Sequence, residues 1–231
     1  LRVGMLAMAL TARAVAQSAP VSQLDPVFST ATRTPTAPQT IGSAVAVISA
    51  ADLARRQATS LASALGLATS APHFSSGASG AINSLFLRGA NSNQTLFLVD
   101  GIRLNDPNTD YQVFLGGACV SACDSLEIAH GPQSTLYGGE AVGGVVSLRA
   151  QRGTGAPSAR VSAEVGSFGT VQGSVAAQGA SGVNSYTFAT AGGRTENDRT
   201  NNAFESATTT LRLDRTVTQR VSVGGTARWF H

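Results

Sequence analysis

The sequence predicts an α+β domain, with a small mixed sheet and short helices, followed by the first antiparallel strands of a transmembrane β-barrel that is incomplete. Three observations predict this fold class. Short strand and helix signals fill residues 41 to 153. Residues 158 to 231 then alternate apolar and polar side chains in segments of roughly ten residues. A predicted secretory leader at the N-terminus would direct the chain out of the cytoplasm.

The leader is predicted at residues 1 to 16. Arg2 precedes an apolar run from Val3 to Leu10, and Ala14-Val15-Ala16 has the small-residue pattern of a cleavage site. A transmembrane anchor is the alternative, but the run is far shorter than the ~20 residues that span a bilayer. The 16 basic residues are all arginine and form no basic stripe, which argues against a nucleic-acid partner.

Residues 17 to 40 are predicted to be a flexible N-terminal arm, since they carry four prolines among small polar residues. Within the arm, the segment DPVFSTA, residues 25 to 31, contains β-branched and aromatic side chains. It could pair with another protein as an added strand. The alternative is a solvated leader without a partner.

The folded domain is predicted to begin with a strand in IGSAVAVIS, followed by two helices over residues 50 to 57 and 60 to 67. Ser49 and Asp52 have the spacing of an N-terminal cap with an acidic residue in the first turn. Residues 85 to 88 and 95 to 99 are predicted strands. Asp100-Gly101 between LFLV and IRL predicts a two-residue hairpin turn, and SLEIAHG predicts a further strand.

The glycine-rich stretch GPQSTLYGGEAVGGVVSLR, residues 131 to 149, does not fit a nucleotide loop. A phosphate loop requires lysine, and a dinucleotide fingerprint leads from a strand into a helix, whereas GGEAVGGVV leads into a strand. Its glycines are therefore expected to permit close backbone approach and sharp turns.

About five barrel strands are predicted after Gly153. In the first of them Val161, Ala163 and Val165 face one side, and Ser162 and Glu164 face the other. A soluble β-sandwich is the alternative, because alternation alone does not exclude it. The leader, the strand length and the pattern of short and long connections favour an outer-membrane barrel.

Cys119 and Cys123 form a C-x3-C pair in a chain expected to be exported. An oxidising compartment permits a local disulfide, and two free thiols are the alternative. No metal site or cofactor is predicted. The three histidines are scattered and no nucleophile motif occurs, so the sequence does not predict an enzyme.

FLRGANSNQTLFLVDGIRLNDP, followed by LEIAHGPQSTLYGGEAVGGVVSLRAQRG, resembles the plug domain of TonB-dependent outer-membrane receptors. The NSN segment is most similar to the cobalamin-receptor branch of that family. The resemblance covers residues 25 to 153, so residues 41 to 153 would be the plug and residues 158 to 231 the start of the barrel. Family barrels have roughly 22 strands, so we expect a fragment or a truncated product.

The resemblance implies a transporter in the outer membrane that takes up a scarce nutrient, cobalamin first and a ferric siderophore second, with outer-membrane lipid around it. The TonB protein would bind a TonB box formed by Asp25, Pro26, Val27, Phe28, Ser29, Thr30 and Ala31. Pro26 departs from the usual box, because proline lacks an N–H. A secreted plug-like binding module and a nonfunctional truncated receptor are the alternatives.

The resemblance also implies which plug residues have a role. Candidates for charge pairing or gating are Arg88, Glu127 and His130, where His130 replaces the arginine of the family. Candidates for ligand-facing loops are Ser75, Ser76, Asn83, Asn91, Ser92, Asn93, Asn105, Asp106 and Tyr111.

Overall fold

The computed structural model describes residues 30–32, 36, 41–68, 72–106, 108, 115, 118–121, 123–218 and 221–231. The predicted leader, most of the arm including Asp25 to Ser29, and Tyr111 lie outside the described residues.

A five-stranded mixed sheet, which we call the first sheet, organises the N-terminal half. Its strands are β1 (Ala44–Ile48), β4 (Thr95–Val99), β5 (Ile102–Arg103), β6 (Asp124–His130) and β7 (Gly144–Ala150). The spatial order is β1-β6-β7-β4-β5. β4 and β7 are parallel and the other neighbours are antiparallel. A separate pair consists of β2 (His73–Ser75) and β3 (Asn83–Leu85).

The helices are short, and hydrogen bonds at their N-termini explain where the first two begin. They are α1 (Ala50–Arg55), α2 (Leu61–Gly66), α3 (Ser134–Tyr137) and a 3-10 turn at Ser92–Gln94. Ser49 caps α1 and exchanges bonds with Asp52, as the sequence predicts, and Ser60 caps α2 in the same way with Ser63. The predicted helix over residues 50 to 57 ends early, because Gln57 has a left-handed φ of 51°.

Two turns differ in how well the sequence predicts them. Asp100 and Gly101 have φ values of 50° and 87°, so the predicted hairpin turn is confirmed. The predicted strand over residues 85 to 88 is wrong beyond Leu85. Arg88 and Gly89 have positive φ, and the Ala90 N–H donates to the Leu87 carbonyl, which turns the chain.

Both faces of the first sheet are covered. One face packs Phe97, Leu126, Ile128 and Leu148 against the buried leucines of α1 and α2. The other face carries a smaller apolar cluster of Ala31, Leu96, Leu98, Ala129, Tyr137, Ala141 and Val145. Because successive side chains of a strand point to opposite faces, β6 contributes to both clusters.

Gly143 and Gly144 bring backbones together, as the sequence predicts for the glycine-rich stretch. The Gly143 N–H donates to the Gln94 carbonyl, and its carbonyl accepts from Gly131. Gly144 has a φ of 153°, and a Cβ there would lie 2.4 Å from the Ala129 carbonyl oxygen. A larger residue at position 144 would therefore separate β7 from β6.

The C-terminal part forms a second, five-stranded antiparallel sheet, which we call the wall. Its strands are β8 (Ser158–Val165), β9 (Val171–Ser181), β10 (Asn184–Thr195), β11 (Phe204–Thr218) and β12 (Val221–Phe230). Consecutive strands pair throughout. β9 and β10 are joined by a short turn, and β10 and β11 by the longer segment 196–203. The predicted fold class is thereby confirmed.

The two faces of the wall differ in character. Its inner face turns small polar side chains toward the first sheet, where they are buried: Ser185, Thr187, Ser206, Thr208 and Thr210. Its outer face exposes apolar side chains, and Val161, Val165 and Trp229 are 72%, 81% and 62% exposed. This is the alternation predicted from the sequence. Among the described residues, no helix has the length and hydropathy needed to cross a bilayer.

Candidate functional site

The end of the arm is fastened to the first sheet by a group of contacts that we call the clasp. Thr30 is fully buried, and its N–H donates to Glu127 Oε2 over 2.9 Å. Its hydroxyl donates to the same carboxylate oxygen. The Tyr137 hydroxyl donates to the Thr30 carbonyl over 2.8 Å. The clasp therefore engages the N–H, the hydroxyl and the carbonyl of Thr30.

The clasp residues are themselves held by neighbouring elements. Glu127 lies in the middle of β6, which pairs with β1 on one side and β7 on the other. Tyr137 is the last residue of α3, and its carbonyl accepts from Arg103 Nη2 over 2.9 Å. Arg103 also lies 3.4 Å from Glu140. Glu127 is thus positioned by the pairing of β6, and Tyr137 by the contact between β5 and α3.

A second group of contacts, which we call the joint, fastens the first sheet to the wall. Arg228 on β12 is 5% exposed and donates to Asp100 over 2.8 Å and to Asp124 over 2.6 Å. Asp100 also accepts from the Ala150 N–H, and Asp124 accepts from the N–H and hydroxyl of Ser121. One arginine of the wall therefore bridges two carboxylates of the first domain.

Two further arginines complete the joint. Arg212 on β11 forms a bidentate pair with Asp214 at 2.8 and 2.9 Å and donates to the Ala150 carbonyl over 2.8 Å. Arg152, just after β7, donates to Ser185 and Thr216 of the wall. The joint holds three arginines and three aspartates, so its formal charge is zero: Arg152, Arg212, Arg228, Asp100, Asp124 and Asp214.

The three predicted charge positions do not form one cluster. Glu127 belongs to the clasp. Arg88 instead lies beside His130 and Gly131, and a Cβ at position 131 would be 3.1 Å from its guanidinium group. Glu127 and His130 are three residues apart on a strand, so they point to opposite faces. Burial, and then the Arg88 charge, lower the pKa of His130.

The predicted disulfide is not formed, and both cysteines are free thiols. Cys119 Sγ lies 3.3 Å from Ser206 Oγ of β11, and the Cys119 N–H donates to Thr208 Oγ1. Cys123 packs instead with Ala176 and Ala189 of the wall. The two thiols thus face different neighbours. Burial raises the pKa of each, so both are poor nucleophiles.

The loop candidates fall into two groups. Asn83, Ser92 and Asn105 are engaged within the fold: Asn83 donates to the Ala81 carbonyl, Ser92 accepts from the Leu85 N–H, and Asn105 bonds both Phe97 and Thr95. The exposed candidates are Ser75, Ser76, Asn91, Asn93 and Asp106.

A cavity of about 540 Å³ lies between the helices α1 and α2, the 75–80 segment and the wall. Ser75 and Asn83 line it from the first domain, and Arg160, Glu164 and Arg194 line it from the wall. Gly80 packs closely against the Phe204 ring at one side of the cavity, and a Cβ at position 80 would lie only 2.3 Å from that ring. The described residues contain no group of three or more histidine, cysteine, aspartate or glutamate side chains that could hold a metal ion.

Comparisons with known proteins agree with this architecture. Residues 37–145, just under half of the chain, match the family model described as the TonB-dependent receptor plug domain. These residues are similar to a TonB-dependent receptor plug domain in sequence. The first sheet and its helices are accordingly called the plug below.

The fold also matches solved receptors. The pyoverdine outer membrane receptor FpvA from Pseudomonas aeruginosa gives a TM-score of 0.72 at 14% identity, with 88% of this chain and 30% of that chain covered. The alcaligin outer membrane receptor FauA from Bordetella pertussis gives 0.69 at 16%, covering 89% and 35%. The ferric yersiniabactin uptake receptor FyuA from Yersinia pestis gives 0.62 at 18%, covering 81% and 31%.

These identities establish likeness of fold alone. The chain spans about a third of the length of each of these receptors.

The sequence does not reveal the joint. It points to Asp100 as a turn residue only, and it does not single out Arg212, Arg228 or Asp124. A signal is present, because Arg212, Asp214 and Arg228 occupy inward positions of alternating strands, where an isolated charge would be costly. The sequence does single out two clasp residues, Thr30 as part of the proposed TonB box and Glu127 as a charged plug residue. It does not predict that they contact each other.

Proposed function

We propose that this chain is the plug and wall segment of a TonB-dependent outer-membrane receptor that imports a large metal chelate. The observation that carries the proposal is the clasp. It fastens the last residues of the segment proposed for partner binding, Thr30 and Ala31, to a plug domain that fills the space beside the wall.

The clasp gives the proposed mechanism a physical form. Asp25 to Ala31 would bind the energy-transducing TonB protein by adding a strand to its sheet. Thr30 and Ala31 are buried against the plug, so the partner gains the whole segment only when the clasp opens. Force applied to the arm while the clasp is closed would act on β6 through Glu127 and on α3 through Tyr137.

Two ligand classes are proposed, and both are large chelates of a scarce metal. The fold neighbours are receptors for pyoverdine, alcaligin and yersiniabactin, which supports a ferric siderophore. The NSN segment of the plug supports cobalamin, by its resemblance to the cobalamin-receptor branch. Candidate ligand-facing residues are the exposed ones of the plug loops, Ser75, Ser76, Asn91, Asn93 and Asp106.

We propose the outer membrane as the location. The outer face of the wall exposes valines and an aromatic residue, and its inner face is polar, which is the pattern of strands that contact lipid on one side only. Fractionation of the producing cells should find the chain with the outer membrane. Recovery in the soluble periplasm would support the secreted binding module instead.

The experiment uses proline in the arm. Val27→Pro removes one N–H from the proposed added strand, and Val21→Pro makes the same change outside the proposed TonB box. Cells are given ferripyoverdine, ferric alcaligin, ferric yersiniabactin and cyanocobalamin with radiolabelled metal. Val27→Pro should bind its ligand normally but lose more than about tenfold of energised uptake, because strand addition depends on backbone hydrogen bonds. Equal uptake by the two variants would remove the assignment of residues 25 to 31.

A further inference from the structure

We propose that the joint, together with residues 118–121 and 123–124, is a fixed anchor that stays bound to β11 and β12 throughout the transport cycle. This inference rests on the proposed function, since it states which part of the plug does not move when the arm is pulled. The mobile part would be the arm with β1.

The first argument is the charge content of the two attachments. The clasp contains a single carboxylate and otherwise hydroxyl and backbone groups. In the joint, Arg228 of the wall pairs with Asp100 and Asp124 of the plug, and the side chains of Arg228 and Asp124 are 5% and 0% exposed. Parting the joint would separate buried charges of opposite sign, whereas opening the clasp separates one carboxylate from neutral donors, so the joint is the more costly of the two to open.

The second argument is that the chain next to the joint is attached to the wall through its backbone. The Cys119 N–H donates to Thr208 Oγ1, and Thr187 Oγ1 donates to the Gln151 carbonyl. The same segment supports α2, because Leu61 donates to the Ala118 carbonyl and Val120 donates to the Thr59 carbonyl. Residues 118–121 therefore contact both the wall and α2, and they lie just before the start of β6.

The third argument is the path that a pulling force would take. The described bonds of Thr30 lead to β6 and α3, and β6 begins at Asp124, inside the joint. β1 lies at the edge of the first sheet, and its one strand partner among the described residues is β6. A force on the arm would therefore break the clasp and then pull on β1, whereas β6 is held at Asp124 by Arg228 of the wall.

The test uses a disulfide that the fold nearly provides. Ser206→Cys places a second thiol opposite Cys119, whose Sγ lies 3.3 Å from Ser206 Oγ. The substitution is made with Cys123→Ser, so that Cys119 has one partner. Diamide then oxidises the two thiols to a disulfide and takes up their two protons and two electrons. Ser206→Ala with Cys123→Ser, treated identically, is the matched control.

A fixed anchor predicts that locking Cys119 to β11 changes little. The oxidised variant should keep at least about half of the uptake rate of its reduced form, with whichever of the four probes the parent imports best. A loss of more than about tenfold on oxidation, restored by reduction, would overturn the inference, because the plug would then have to leave β11. Failure of the disulfide to form would also overturn it, since Cys119 would not lie against β11.

A second measurement needs no ligand. Arg228→Ala should detach the plug from the wall and lower the vancomycin concentration that inhibits growth by about tenfold, because the barrel would leak. The charge exchange Arg228→Asp with Asp124→Arg should restore part of the resistance. Arg55→Ala, which removes an exposed pair with Asp52, is the control. Unchanged resistance in Arg228→Ala at equal outer-membrane abundance would overturn the anchor.

The two measurements separate the two proposals. A parent receptor that imports none of the probes contradicts the proposed function, and vancomycin entry then still decides whether the joint is an anchor. Energised uptake that survives Val27→Pro but is abolished by oxidation of the Ser206→Cys variant would contradict both.

Discussion

Removing Glu127 should release the end of the arm. The Glu127 carboxylate accepts two hydrogen bonds from Thr30, and bonds to a charged group contribute about 1.5–3 kcal/mol each. Because both bonds reach one oxygen, their contributions are not additive. We therefore take about 3 kcal/mol for Glu127→Ala, which corresponds to about a 150-fold larger open fraction of the clasp.

Two milder variants grade the effect. Tyr137→Phe removes one neutral hydrogen bond to the Thr30 carbonyl, which contributes about 1 kcal/mol, or about fivefold in the open fraction. Glu127→Gln keeps an oxygen acceptor but loses the charge, so its effect should lie between the other two. The expected order of opening is Tyr137→Phe, Glu127→Gln, Glu127→Ala.

The assay measures how often the clasp opens. Ala31 is 7% exposed and packs in the apolar cluster beside Tyr137, so a cysteine there reacts with a maleimide only when the arm is released. Ala31→Cys is made with Cys119→Ser and Cys123→Ser, and labelling is followed in isolated outer membranes. When opening and closing are fast, the labelling rate is proportional to the open fraction.

The control is Asp106→Asn, which neutralises an exposed plug carboxylate that accepts from the Asn108 N–H and contacts no clasp residue. Its labelling rate should equal that of the parent. A Glu127→Ala variant that labels no faster than Asp106→Asn would refute the reasoning, because Thr30 would then be held by something other than the clasp.

Two further predictions concern the plug itself. Gly144→Ala should lower the free energy of unfolding by about 2 kcal/mol in a denaturant titration, because residue 144 has a positive φ and its Cβ would lie 2.4 Å from the Ala129 carbonyl oxygen. The control is Gly139→Ala, which should have little effect because the space around its Cβ is open. His130→Gln should flatten the pH dependence of thermal unfolding. Burial and the Arg88 charge lower the pKa of His130 below its ordinary value of 6.5. Neutral His130 therefore adds its full share to the free energy of unfolding above about pH 6.5, and this share is lost as the pH falls below that value. Identical pH profiles for parent and variant would contradict this role.

The sequence predicts the parts of the fold that depend on local pattern. Alternation marks all five strands of the wall, Asp100-Gly101 marks a hairpin, and Ser49 with Asp52 marks the start of α1. These features are set by side-chain period and by backbone conformation over a few residues. The end of α1 and the turn at Arg88 are not predicted, because the non-glycine residues Gln57 and Arg88 adopt a left-handed φ there, which their residue types do not signal.

The contacts of the candidate site could not be predicted in the same way. Thr30 and Glu127 are 97 residues apart in sequence, and Asp124 and Arg228 are 104 apart. Pairings over such separations depend on how the sheet and the wall are packed, which periodicity does not specify. The spacing of Cys119 and Cys123 predicts a bridge, but the wall supplies each thiol with another neighbour.

The most direct test of the central claim is uptake with and without the energy-transducing partner. Cells that produce the receptor are given the four probes with radiolabelled metal, in a strain with a functional TonB protein and in a strain without it. The account predicts that at least one probe binds equally to both strains but accumulates only in the first. Equal accumulation in both strains, or binding of no probe, would contradict the claim that this plug belongs to an energised importer of metal chelates.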